Sequence, residues 1–232
     1  MKKSKIAFCP ADQANEKPFQ QLEKSLRKFH IEEDLPLRRY DLANIQDPTK
    51  WYKAKPLIAR ELLKEYEYVI GLDADQIITG DLSDIWQGEF DVACVLNDPT
   101  YPAAVWDISP YFNNGLVVLK SEEFVNHWWR LCQSEHFPRY QFREQDILNI
   151  LASNYHNYKV KCLDTAFVCY GEFGKPFWAQ ATIKYDKIYI PNGSGEAELK
   201  VIHFGGGDDP SKGNYKIRFS PEVIKKIEWL IE

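Results

Sequence analysis

The chain has 232 residues, of which 44% are hydrophobic and 27% charged, a length and composition that suit one α/β domain and exclude disordered, collagen-like and low-complexity chains. Its 29 Lys and Arg face 34 Asp and Glu, a formal charge of −5. A mildly acidic chain has no general attraction for nucleic acid or an anionic membrane, so neither is an expected partner.

The predicted elements alternate. Lys5–Cys9 reads as a short strand, and Glu16–His30 as a helix with Phe19, Leu22, Leu26 and Phe29 at helical spacing. A strand over Leu35–Leu42 and a helix over Pro48–Tyr66 follow. Tyr68–Leu72, Phe90–Leu96 and Leu116–Leu119 are apolar on consecutive positions, as strands are when both faces of a mostly parallel sheet are covered. Helices are predicted at Ser121–Cys132 and Arg143–Ser153, strands at Tyr158–Leu163, Ile183–Ile190 and Leu199–Phe204, and a closing helix at Pro221–Ile231. Strands alternating with helices predict an α/β fold, with ligands at the carboxyl ends of the strands.

Cys9, Cys94, Cys132, Cys162 and Cys169 are scattered without a Cys-x-x-Cys pair. Such a set fits neither a disulfide framework nor a zinc cluster and predicts a reducing compartment. The apolar stretch before Pro10 is too short for a signal peptide, and no run approaches the ~18 apolar residues of a membrane span. The sequence predicts a soluble, cytoplasmic protein of one domain over residues 1–232.

The most informative segment is Tyr68-Val69-Ile70-Gly71-Leu72-Asp73-Ala74-Asp75, where an apolar strand delivers two carboxylates at i and i+2. Residues so spaced in extended chain project from one side. Two adjacent carboxylates repel unless a cation relieves them, and a hard divalent ion with oxygen ligands does so. A polar turn after a strand is the competing explanation.

The run YVIGLDADQIITGDLSDIW resembles the core of nucleotide-sugar glycosyltransferases of the A-type (GT-A) fold, particularly the family 8 type that includes glycogenin and lipopolysaccharide galactosyltransferases. The resemblance implies a single-domain, Rossmann-like mixed sheet flanked by helices. It also implies manganese, or magnesium, bridging the diphosphate of a UDP-sugar. Asp73 and Asp75 would be metal ligands, with Ala74 at the nucleotide. The opening Ile6-Ala7-Phe8-Cys9-Pro10-Ala11-Asp12 resembles the family's uridine-contacting strand end, implying nucleotide contacts for Ala11 and Asp12. A helix-start acid is the plain alternative for Asp12. Lys55, before Pro56, stands where the family has a basic residue against the donor; otherwise it is a surface lysine.

Phe112-Asn113-Asn114-Gly115 before an apolar strand resembles the family's donor-sugar motif and implies that role for Asn113 and Asn114, although Asn-Gly is also a tight-hairpin signal. Arg143-Glu144-Gln145-Asp146-Ile147-Leu148-Asn149 resembles the family's Asp-Gln-Asp-Ile-Leu-Asn. Gln145 would lie by the anomeric carbon and Asp146 at the donor hydroxyls, both carrying catalysis, with Glu144 replacing the family's Asp. Val201-Ile202-His203-Phe204-Gly205-Gly206 resembles its closing strand, making His203 the third metal ligand and placing Gly205 and Gly206 under the diphosphate. Neutral imidazole readily completes a two-carboxylate site. The usual Lys-Pro-Trp is replaced by Asp208-Asp209-Pro210-Ser211-Lys212, leaving Lys212 or Lys216 to neutralise the leaving diphosphate.

The resemblance implies hexose transfer to an acceptor hydroxyl of a carbohydrate, glycolipid or glycoprotein, with the anomeric configuration retained. No double-displacement nucleophile stands out, and attack from the donor's own face, Asp107 and Glu144 all stay open. Aromatic clusters at Tyr101–Trp106 and Tyr170–Trp178 suit either acceptor platforms or core. Two alternatives compete. One is a sugar-nucleotide-binding module without turnover. The other is a haloacid-dehalogenase-type phosphatase, whose acidic pair normally follows the first core strand.

Overall fold

A computed structural model describes residues 2–42, 51–96, 108, 110–153, 157–164, 168–170, 178–192, 195–204, 216 and 219–232. Its central sheet has the order β2-β1-β3-β6-β5-β7, formed by β1 (Lys3–Ala11), β2 (Leu37–Asp41), β3 (Tyr66–Leu72), β5 (Val92–Leu96), β6 (Phe112–Leu119) and β7 (Val160–Leu163). The pairs β1–β2, β1–β3 and β5–β7 are parallel, whereas β6 runs antiparallel to both β3 and β5.

Alternation along these strands feeds a core on each face. Ile6, Phe8, Val69, Cys94 and Val117 pack with Ile58 and Leu62 of α2 (Ala54–Leu62), Phe124 and Trp128 of α3 (Glu122–Cys132), and Ile147 and Leu151 of α4 (Glu144–Ala152). On the other face Ala7, Cys9, Ile70, Ala93 and Val118 meet Phe19, Leu22 and Leu26 of α1 (Glu16–Arg27). Every residue of β6 is buried, which explains the unbroken apolar run Leu116–Leu119 despite the strand's antiparallel direction.

Two smaller sheets complete the described structure. β4 (Gln76–Ile78), β12 (Val201–His203) and β8 (Val168–Tyr170) form one, with β12 in the middle; β9 (Thr182–Lys184), β10 (Lys187–Asn192) and β11 (Gly195–Glu198) form an antiparallel meander. Ile77 and Ile202 lie in a third apolar cluster with Ile188, Trp178 and the buried face of α5 (Pro221–Ile231). Trp178 stacks on Phe219 with centroids 4.8 Å apart, so this member of the second aromatic group is core.

The structure differs from the sequence expectation in particular places. The predicted strand Ile183–Ile190 is two strands joined at Tyr185 and Asp186, whose φ angles of 51° and 63° are left-handed. That two-residue turn closes a hairpin without glycine. The predicted helix Pro48–Tyr66 is helical over Ala54–Leu62, and residues 48–50 lie outside the described residues. Asn113, Asn114 and Gly115 sit inside β6, so this Asn-Gly is not a hairpin turn. No described helix is long and apolar enough to cross a membrane.

Candidate active site

The site gathers at the carboxyl end of β3. The backbone N–H of Asp73 donates to the carbonyl of Gly115 at 3.0 Å, extending the β3–β6 pairing just beyond Leu72 and Leu116. The chain then turns through Ala74 and Asp75 into β4. Gln76 of β4 pairs with His203 of β12, and the N–H of Phe204 donates to the carbonyl of Asp75 at 3.1 Å. This short ladder carries an imidazole from the last third of the chain to two carboxylates from the first third. His203 Nε2 stands 3.4 Å from Asp73 Oδ2 and 3.3 Å from Asp75 Oδ1.

One potential ligand atom from each of Asp73, Asp75 and His203 lies within 4.8 Å of the others. Two carboxylates and one imidazole are a donor set that fits a hard to borderline divalent cation. Electrostatics agree with the geometry. Burial alone would lower the His203 pKa, but Asp75 and Asp73 outweigh it and push it up to about 9. Burial alone would raise that of Asp73, but Lys55 and His203 outweigh it and hold the carboxyl at about 2.

Lys55 joins this cluster to its other half. Its side chain is buried, and its ammonium lies 2.6 Å from Asp73 Oδ1 and donates to the carbonyl of Asn114 at 2.6 Å. The Asn114 N–H donates to Gln145 Oε1 at 3.1 Å, and its amide Nδ2 donates to Glu144 Oε1 at 3.3 Å. Gln145 Nε2 donates to the Tyr111 hydroxyl at 3.2 Å, and that hydroxyl donates to Asp146 Oδ1 at 2.6 Å. Burial pushes the Glu144 carboxyl up to about 8 and also raises that of Asp146. Arg143, with φ 52°, directs the chain into the first turn of α4 that carries these three residues; a non-glycine residue there is backbone strain.

No protein-family model matches the chain, and no curated protein matches it. Solved structures do. The chain aligns with the galactosyltransferase LgtC, solved in complex with donor and acceptor sugar analogs, at TM-score 0.64 and 15% identity, covering 98% of this chain and 96% of LgtC. It aligns with the bifunctional glycosyltransferase WbbM at TM-score 0.65 and 14% identity, over 100% of this chain but 50% of WbbM. The glycosyltransferase GlyE of Streptococcus pneumoniae gives TM-score 0.59 and 19% identity, over 99% of this chain and 63% of GlyE. The chain has the A-type glycosyltransferase fold. It spans half the length of WbbM and under two thirds of GlyE.

Within that A-type fold the residues singled out from sequence fall into three groups. Asp73, Asp75, His203, Lys55, Asn114 and Gln145 converge, together with Glu144. Asn113 is buried beside them, its Oδ1 accepting the Gly115 N–H at 2.7 Å. Lys55 is therefore not a surface lysine. Asp146 belongs to the same network but is fully buried, with Oδ2 accepting the Phe142 N–H at 2.8 Å. Ala11 ends β1 in the core, Ala74 is buried between the two carboxylates, and Asp12 caps a 3-10 turn by accepting the Asn15 N–H at 3.0 Å. Gly205, Gly206, Lys212 and Asp107 lie outside the described residues. Lys216 is paired with Glu228 at 2.5 Å. Tyr111 is the member of the network that sequence reasoning missed, since an aromatic before a buried strand carries no chemical signal of its own.

Proposed function

We propose that the chain is a metal-dependent hexosyltransferase that moves a sugar from a nucleotide diphosphate, most simply a UDP-sugar, to an acceptor hydroxyl with retention of configuration. The observation that carries this reading is the Asp73–Asp75–His203 cluster facing the Asn114–Gln145 network across the carboxyl edge of an A-type sheet. The LgtC complex with donor and acceptor sugar analogs supports a sugar donor and a carbohydrate acceptor; in this reading the acceptor hydroxyl belongs to a carbohydrate, glycolipid or glycoprotein. Residues 1–232 form one transferase domain in this reading. Free thiols at Cys9, Cys94, Cys132 and Cys162 suit the cytoplasm.

Asp73, Asp75 and His203 would hold manganese or magnesium, which would supply Lewis-acid neutralisation of diphosphate charge. The chain's own residues do the rest. Lys55 keeps Asp73 ionised and ties it to β6. Asn113 and Asn114 are assigned to the donor sugar and Asp12 to the nucleotide, with the buried Ala11 and Ala74 as packing behind that face rather than as contacts. Gln145 presents an amide at the anomeric carbon, where positive charge develops in an oxocarbenium-like transition state. Asp146 acts through Tyr111, fixing the hydroxyl that holds Gln145. Gly205, Gly206 and Lys212 are assigned to the diphosphate. One LgtC structure is of an active-site variant with glutamine replaced by glutamate, and Gln145 is proposed as the working glutamine of this chain.

The test is release of UDP from UDP-glucose and UDP-galactose, with and without manganese, in wild type and Asp73→Asn. Metal-dependent release lost in the variant supports the reading. Absence of release with every nucleotide sugar and acceptor, despite metal-dependent nucleotide binding, would favour a binding module instead.

A further inference from the structure

The residue after the acidic pair poses a physical problem that the proposed reaction does not yet use. Gln76 is completely buried, and neither its Oε1 nor its Nε2 has a hydrogen-bond partner among the described residues. Leaving both ends of a primary amide unpaired away from water is unfavourable, and a Leu or Met of similar volume would avoid it. Such a group persists where something absent from the free protein completes it.

Its position says what that is. Gln76 lies directly opposite His203 in the antiparallel β4–β12 ladder, and directly opposed residues project to the same face. The packing agrees. Ile77 and Ile202, the next pair, lie together in the cluster beside α5, while Ile78 and Val201 lie together in the cluster beneath α1. Gln76 and His203 therefore share the inner face, where His203 Nε2 reaches both carboxylates. Opposed Cβ atoms sit ~5 Å apart, and a glutamine side chain extends far enough to reach the surroundings of a cation held there.

We propose that Gln76 is a positioning residue of the cation site, its amide hydrogen-bonding an oxygen that the cation carries, a coordinated water or a phosphate oxygen of the donor. This rests on the metal-dependent transferase reading. The free protein tolerates an unsatisfied amide that the loaded site satisfies, as partners in the shell around a metal commonly do.

The inference requires opposite signs in two measurements on one variant. In Gln76→Met and Gln76→Leu the metal-free protein should melt about 2–4 °C higher, because the unpaired amide is gone. Calorimetry with manganese alone, and with UDP in saturating manganese, should show at least about tenfold weaker binding in one titration or both. Loss with manganese alone identifies the oxygen as water; loss only with UDP identifies phosphate. Unchanged affinities in both titrations would overturn the proposal. So would metal-free melting temperatures that fall in both variants, the mark of a purely structural amide. Wild-type protein that binds neither manganese nor UDP would sink the transferase reading itself, a distinct outcome visible before any variant is made.

Discussion

The imidazole of His203 lies directly on the α-carbon of Gly115: a Cβ at that position would overlap Cε1 and Nδ1 of the ring and stand 2.8 Å from Asn113 Oδ1. The two residues are 88 positions apart, and the absence of a side chain on β6 is what lets the ring reach Asp73 and Asp75. Gly115→Ala should displace His203, lower stability by about 1–3 kcal/mol through overpacking, and weaken manganese-dependent UDP binding at least about tenfold. Thermal melts and calorimetry check this, and an alanine variant with wild-type affinity would show that the ring is not held there.

Lys55 should matter for stability as well as for binding. Its ammonium is the close cation that offsets the burial of Asp73, so Lys55→Met leaves a carboxylate facing Asp75 with only His203 to balance it. Breaking a buried pair costs about 3–5 kcal/mol, and less where one partner is exposed. The Asp73 side chain is 34% exposed, so a loss of about 2 kcal/mol is expected in urea unfolding at pH 7.

Glu144 predicts a pH dependence of definite sign. Burial raises its carboxyl from 4.5 to about 8, so the fold favours the protonated form. Its contribution is fully present below pH 4.5 and is lost as pH rises through about 8. Glu144→Gln mimics the protonated form. It should match wild-type stability near pH 4.5 and exceed it by about 2 kcal/mol at pH 9, after discounting for partial exposure. Parallel stability curves across that range would show that Glu144 ionises freely.

His203 gives a second pH signature. With its pKa near 9 in the metal-free protein, the imidazole is protonated at pH 7 and must lose that proton to bind a cation. Manganese binding at pH 7 should release about one proton, measured by calorimetry in buffers of different ionisation enthalpy, and should tighten as pH rises towards 9. His203→Gln should abolish the proton release.

Much of this was legible because local chemistry and global fold agree. Apolar strands announced themselves by consecutive hydrophobic residues; Asp73 and Asp75 follow β3, His203 ends β12, Asn114 precedes the apolar run Leu116–Leu119, and Gln145 lies in the first turn of α4. What stayed hidden depends on contacts between distant segments. The direction of β6 cannot be read from Phe112–Leu119, because burial on both faces erases alternation whichever way the strand runs. β4 and β11 span three and four residues, too short for a periodic pattern. The Tyr185-Asp186 turn lacks glycine. Gln76 carries no signal of its own in the sequence, and it is the pairing with His203 that places it inside.

The central question for this protein is whether the carboxylate–imidazole cluster binds a cation together with a nucleotide. The direct measurement is calorimetric titration of UDP with and without manganese, in wild type and Asp75→Ala. Binding that requires manganese and falls at least about a hundredfold in the variant is the expected result. Wild-type protein that ignores UDP, GDP and dTDP alike in the presence of manganese would contradict it.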